Sequence, residues 1–123
     1  AGETSSAAAL RELHEELGIL AEDAHILGRL SPLNLFVTNF AVTPWVAVID
    51  ERPHVVPSPH EVELCLEVPL AELTNEANFG FHEHEHGGLR FKAPHIELEG
   101  QLVWGATGMI LGELIGVLNE LGE

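Results

Sequence analysis

Three glutamates stand close together near the start of the chain: Glu12, Glu15 and Glu16. In a helix, residues at these positions lie within an arc of about 100° on one face. Carboxylates three or four residues apart repel one another, and each such pair costs a helix roughly 0.2–0.5 kcal/mol. A hard divalent cation such as Mg²⁺, which takes oxygen ligands and retains several waters, would offset that repulsion. The same spacing is typical of the solvated face of an acidic protein, and spacing alone favours this simpler interpretation.

A helix over residues 4–17 would position these carboxylates. Ser5 and Ser6 are the expected N-caps, and Gly18 suits the left-handed position that ends a helix. Leucines at helical spacing form the side that we expect to face a core: Leu10, Leu13 and Leu17.

The remaining sequence alternates between strand patterns and turn residues, which predicts a single α+β domain over residues 1–123. We expect a strand at 25–30, a loop at 32–40, a buried strand interrupted near Pro44 at 41–50, a surface connection at 51–60, a strand at 61–68, a short helix at 69–73, a hairpin over 78–99 that turns at Gly87-Gly88, and a helix at about 106–121.

Charge excludes several classes of partner. The 123 residues include 20 Asp and Glu against five Lys and Arg, a formal net charge of −15. Such a surface repels phosphate backbones and anionic membranes, so we expect no nucleic-acid and no membrane partner. The most apolar window, 102–121, contains Glu113 and Glu120 and predicts an amphipathic helix. With one Cys and no visible leader, we expect a cytoplasmic protein, although the sequence does not begin with Met.

The residues around the glutamates carry a family resemblance. Glu3, seven further residues and then the run Arg-Glu-Leu-His-Glu-Glu-Leu-Gly-Ile ending at Ile19 match every specified position of the Nudix box from its first Glu onward. That box reads G-x5-E-x7-R-E-U-x-E-E-x-G-U, where U is aliphatic, and the sequence therefore resembles the Nudix hydrolases. The leading Gly would fall before residue 1, so we expect a chain trimmed at its N-terminus.

The resemblance implies a fold and a set of roles. The fold would be a Nudix-type α/β/α sandwich with a mixed sheet, its N-terminal strands missing here. Glu12, Glu15 and Glu16 would ligate Mg²⁺ or Mn²⁺, Arg11 would orient the acidic cluster, and Glu3 would support it from the preceding loop. Glu3, Arg11, Glu12 and Glu16 would form the catalytic set, and the choice of general base among the glutamates stays open.

A further metal carboxylate is often added in this family from a downstream strand or loop. Glu61 is our candidate for that role, and its alternative is a solvated position on a strand edge.

Short downstream segments are similar to the coenzyme A pyrophosphatase branch of the family. The resemblance implies hydrolysis of coenzyme A or its derivatives to 3′,5′-ADP and 4′-phosphopantetheine. The alternatives are a pyrophosphatase acting on ADP-ribose or another nucleoside diphosphate derivative, and a Nudix-fold binding module without turnover. In each case the expected partner is a small nucleotide, and both a monomer and a homodimer are open. The similar segments are 40–46, 59–63, 68–73 and 103–107, followed by 110–111.

Two weaker patterns lie in the second half. His82, His84 and His86 would share one face of a strand and could bind Zn²⁺, but an exposed hairpin with adventitious metal affinity is the favoured interpretation. Trp104 is a candidate to stack on an adenine, with a place in the core as the alternative.

Overall fold

The computed structural model describes residues 2–35, 40–62 and 65–122. Contacts within the chain divide it into two compact units, Ala1–Cys65 and Leu66–Glu123. Each unit combines helix with antiparallel strand pairs, which confirms the predicted α+β class.

The first unit opens with a helix and continues as two strand pairs. Strand β1 pairs with β4, with an irregularity in register between Ile26 and Gly28, and β2 pairs with β3; both pairs are antiparallel. The elements are α1 (Ser5–Leu17), a 3-10 turn (Ala21–Asp23), β1 (Ala24–Arg29), β2 (Leu33–Leu35), β3 (Phe40–Val42) and β4 (Trp45–Ile49).

The N-cap of helix α1 is Thr4, one residue before the first predicted N-cap. Thr4 keeps an extended backbone (φ −75°, ψ 162°), and its hydroxyl accepts a hydrogen bond from the N–H of Ala7 at 3.1 Å. The prediction of Ser5 or Ser6 as N-cap is therefore wrong, because Ser5 is already helical and its hydroxyl instead accepts from the Trp45 indole N–H at 2.9 Å. The predicted stop is confirmed: Gly18 has φ 74° and ends the helix.

Two strand predictions in this unit need correction. The expected loop at 32–40 contains β2, because Leu33–Leu35 pairs with β3; residues 36–39 lie outside the described part of the chain. The interruption predicted near Pro44 is confirmed, since it separates β3 from β4. The described side chains of 41–50 are half-buried or exposed, however, because two-stranded sheets cover little surface.

The strand predicted at 61–68 is also wrong for its described residues. The N–H groups of Glu61 and Val62 both donate to the carbonyl of Ser58, at 3.2 and 2.8 Å, so this segment begins as a turn. Residues 65–68 have no regular structure, and residues 63 and 64 lie outside the described part. The alternating pattern therefore formed no ladder there, since a strand needs a partner as well as a pattern.

The second unit is a hairpin with helices. Its elements are α2 (Leu70–Leu73), a 3-10 turn (Glu76–Asn78), β5 (Phe79–His86), β6 (Leu89–Leu98), β7 (Gln101–Val103) and α3 (Gly105–Leu121). The predicted hairpin is confirmed, with Gly87 and Gly88 at φ 60° and 84°, the two positive values that a tight two-residue turn requires. The core of this unit joins α2, β6 and α3 through four buried side chains: Leu73, Ile96, Leu98 and Ile115.

Both predicted helices of this unit are present, α2 as a single turn and α3 over four turns. Among the described residues, none of the helices has the length and apolarity to cross a bilayer.

Candidate active site

Arg11 forms the centre of the acidic region on α1. Its Nε donates to Glu3 Oε2 at 2.9 Å and its Nη2 to Glu3 Oε1 at 3.1 Å, a two-pronged contact between guanidinium and carboxylate. Its Nη1 donates to Glu15 Oε1 at 3.2 Å, one helical turn further on. The three side chains remain 43–48% exposed, so this is an ion-pair network at the surface.

The network shifts two titrations. Hydrogen bonding from Arg11 holds the pKa of Glu3 below its ordinary value. The hydrogen bonds to Glu3 and then to Glu15 raise the pKa of Arg11 above its already high ordinary value. The guanidinium is therefore a permanent cation that is engaged by two carboxylates.

The other two glutamates of the cluster are differently placed. Glu12 is exposed and Glu16 is half-buried. Within the described part of the chain, neither side chain takes part in a hydrogen bond or ion pair. Their oxygens are therefore available to an external cation.

A loop is fastened to the C-terminal end of α1. The N–H of Val56 donates to the carbonyl of Leu17 at 2.8 Å, and the N–H of Ser58 donates to the carbonyl of Glu16 at 2.7 Å. Gly18 permits this approach, because a Cβ at that position would lie 3.3 Å from the Cβ of Val56. The loop thus fixes the backbone that carries Glu16.

The same loop connects the backbone of Glu61 to the backbone of Glu16. The carbonyl of Ser58 accepts from the N–H of Glu61 at 3.2 Å, while the N–H of Ser58 donates to Glu16. Ser58 therefore links the backbone of Glu61 to the backbone of Glu16, and both residues are candidate metal ligands. Glu61 is exposed and lies in a turn, so it is not on a strand edge.

The donor chemistry of the region suits a hard divalent cation. All four candidate ligands are carboxylates, and Mg²⁺ and Mn²⁺ prefer oxygen donors. In residues 2–35, 40–62 and 65–122, no three His, Cys, Asp or Glu side chains converge on one point. The region therefore suits such a cation through its type of donor atom and the availability of its oxygens, and not through a preformed cluster of ligands among the described residues.

Trp104 lies in the second unit, at the residue that precedes α3. It is 37% exposed and lines an open apolar cavity of about 880 Å³, together with Phe79, Phe81 and Met109. Its ring packs against His84 with a centroid distance of 4.3 Å. The core placement that was the alternative for Trp104 does not hold, since the side chain is partly open to solvent.

Sequence analysis missed one member of the histidine group. The ring of His95 lies 5.0 Å from that of His82, and the two Nδ1 atoms are 2.9 Å apart. The signal was available: counting outward from the Gly87-Gly88 turn pairs residue 80 with 95 and places His95 on the face of His82. His86 lies on that face too but is exposed.

Comparison with known proteins defines the class. Residues 1–91 match the NUDIX domain family. The chain is 32% identical over 111 residues to an uncharacterized Nudix hydrolase, NudL, of Yersinia enterocolitica, covering 90% of this chain and 56% of that protein. It is 36% identical over 108 residues to an uncharacterized NudL of an Enterobacter species, with 88% and 56% covered. It is 30% identical over 136 residues to Nudix hydrolase 3 of Caenorhabditis elegans, with 96% and 56% covered.

The chain belongs to the Nudix family, as the acidic box predicted. It spans about half the length of these curated relatives.

Proposed function

We propose that this chain carries the metal-binding part of a pyrophosphohydrolase that cleaves the diphosphate linkage of a nucleoside diphosphate derivative. One observation supports it most: Arg11 engages Glu3 and Glu15, while Glu12 and Glu16 on the same helix keep their oxygens available. The match of residues 1–91 to the NUDIX domain runs across both compact units, so we also propose residues 1–123 as one catalytic domain.

Glu12, Glu15 and Glu16 would hold Mg²⁺ or Mn²⁺, with Glu61 as the added ligand from the loop. Bound ions of this kind neutralise phosphoryl oxygens and lower the pKa of an attacking water. Glu15 can serve both Arg11 and an ion, because a carboxylate offers about four acceptor positions.

The remaining residues of the cluster have supporting roles in this proposal. Glu3 fixes Arg11 from the loop before α1, and Arg11 fixes Glu15. A glutamate of the cluster accepts the proton of the attacking water, and Glu12 and Glu16 qualify because neither has a described partner that would compete for its oxygens.

For the substrate we propose coenzyme A or its derivatives, cleaved to 3′,5′-ADP and 4′-phosphopantetheine. The support is the similarity of segments 40–46, 59–63, 68–73 and 103–107 to that branch of the family. Trp104 is the proposed contact to the substrate, because its ring is partly exposed beside an open cavity.

A substrate panel tests the proposal. Full-length protein is incubated with Mg²⁺ or Mn²⁺ and coenzyme A, ADP-ribose and further diphosphate compounds, and the products are identified. Release of 3′,5′-ADP from coenzyme A is the expected result, abolished by chelation of the metal. Release of AMP from ADP-ribose instead would replace the substrate but keep the reaction. Cleavage of no compound would overturn the enzyme and leave a binding module.

Trp104→Ala separates the substrate contact from the chemistry. A rise in KM with little change in kcat is expected from a residue that binds substrate and transition state alike. An unchanged KM would remove Trp104 from the site.

A further inference from the structure

One face of the β5–β6 hairpin gathers imidazoles under an indole. His82 and His84 are half-buried on β5, and His95 is half-buried on β6. Trp104 covers two of them, with centroid distances of 5.1 Å to His82 and 4.3 Å to His84. All four residues lie in the second unit, away in sequence from the Nudix box.

The contact between His82 and His95 has a specific geometry. Their Nδ1 atoms are 2.9 Å apart, so one ring donates and the other accepts a single proton. Two nitrogen ligands at about 2.0–2.1 Å from an ion, and at a right angle to each other, are also about 2.9 Å apart. A metal ion could therefore replace the shared proton at the same separation of the two nitrogens, once each ring turns so that its Nδ1 lone pair points at the ion and not at the other ring.

The pair is positioned by its neighbours. Gly80 stands directly opposite His95 in the ladder, and a Cβ on Gly80 would lie 2.9 Å from His95 Nε2. The missing side chain gives the His95 ring room to lie over β5 toward His82. Trp104 packs against His82 in a T-shaped arrangement, with an interplanar angle of 79°.

We propose that His82 and His95 chelate one Cu²⁺ or Ni²⁺ ion through their Nδ1 atoms, with water completing the coordination. A right angle between nitrogen ligands suits the tetragonal geometry of these ions better than tetrahedral Zn²⁺. The donor ring moves its proton from Nδ1 to Nε2, so the neutral pair binds the ion without net release of a proton. In the described residues no third His, Cys, Asp or Glu converges with the pair, which is why two protein ligands are assigned.

Trp104 adjoins this site and is also the proposed substrate contact, but the ion that the site takes differs from the ion proposed for hydrolysis. Its nitrogen donors favour ions late in the first transition series, whereas carboxylates such as those on α1 suit Mg²⁺ and Mn²⁺. The net charge of −15 raises the local concentration of any cation.

The test uses Trp104 as the reporter. Residues 1–123 contain two tryptophans, so Trp45→Phe leaves Trp104 as the one indole within these residues. Cu²⁺ and Ni²⁺ are titrated into this protein, and saturable quenching at one ion per chain is expected. His82→Ala and His95→Ala should each weaken binding at least about tenfold, since each removes a ligand. His86→Ala, on the same face but exposed, is the matched control and should change binding less than twofold.

A second measurement needs no variant. Electron paramagnetic resonance of the Cu²⁺ complex of the unmodified full-length protein should show hyperfine splitting from two equatorial nitrogens. A spectrum with one nitrogen, or an effect of His86→Ala equal to that of His95→Ala, would show independent binding by surface imidazoles and overturn the proposal.

Discussion

Helix α1 and the β5–β6 hairpin organise titratable side chains in opposite ways. On α1 an arginine stands among carboxylates and engages two of them, while the region stays open to solvent. On the hairpin, two imidazoles meet directly, half-buried beside a tryptophan. The first arrangement leaves carboxylate oxygens available, and the second presents two nitrogens 2.9 Å apart.

The difference shows why we propose two classes of cation for one acidic chain. Available carboxylate oxygens bind hard ions that retain water. Paired imidazoles favour ions that form strong bonds to nitrogen. Each region also depends on one glycine, Gly18 for the loop behind α1 and Gly80 for the ring of His95.

The largest effect on activity is expected from substitution of Glu16, a candidate metal ligand on α1. Glu16→Gln removes a charged metal ligand and should lower kcat/KM at least about a hundredfold. The fold should persist, since the side chain contributes nothing to the core. Steady-state hydrolysis with Mn²⁺ and a thermal melt measure the two effects.

Glu22→Gln is the matched control for that substitution. Glu22 is an exposed glutamate of the 3-10 turn after the box. Its loss should leave kcat/KM within twofold of the unmodified protein. Equal losses in the two variants would mean that overall negative charge, not a particular ligand, supports activity.

The two glycines should respond differently to alanine. Gly18 has φ 74°, so Gly18→Ala should lower the free energy of unfolding by about 1–2 kcal/mol. Gly80 has no such backbone requirement, and Gly80→Ala should mainly displace the His95 ring and weaken Ni²⁺ binding. Urea unfolding and Ni²⁺ titration of both variants provide the comparison, and similar profiles for the two would refute the distinction.

The corrected N-cap gives a smaller effect. Thr4→Ala removes the hydroxyl that accepts from the N–H of Ala7 and should cost about 1 kcal/mol of stability. Thr4→Ser keeps that oxygen and should cost much less. Chemical denaturation of both variants decides whether the cap lies at Thr4, and equal stabilities would argue against it.

The smallest effect concerns the ion pair between Glu3 and Arg11. Hydrogen bonding from Arg11 lowers the pKa of Glu3, so the pair contributes stability above the ordinary value of 4.5 and loses it as pH falls through the lowered pKa. In Arg11→Gln the pKa of Glu3 should rise toward its ordinary value. Carboxyl ¹³C NMR titration measures this, and an unchanged titration would contradict the observed network.

Local patterns in the sequence predicted α1 well. Its extent, its stop at Gly18 and the family all follow from residues within seventeen positions, because helical spacing and capping are short-range effects. The hairpin was predicted equally well from the Gly87-Gly88 turn.

Features that depend on contacts between distant residues were harder to predict from the sequence. The pattern at 61–68 predicted a strand, yet the N–H groups of Glu61 and Val62 turn back to Ser58. Alternation records which side chains suit a strand but not whether a partner is present. The pairing of His82 with His95 depends on cross-strand register, and the link from Glu16 through Ser58 to Glu61 depends on a loop contact that no motif encodes.

Anomalous diffraction from crystals of the full-length protein soaked in Mn²⁺ tests the central claim most directly. The account predicts manganese peaks within bonding distance of the carboxylates of Glu12, Glu15 and Glu16. Peaks elsewhere, with those carboxylates bonded to solvent alone, would contradict it.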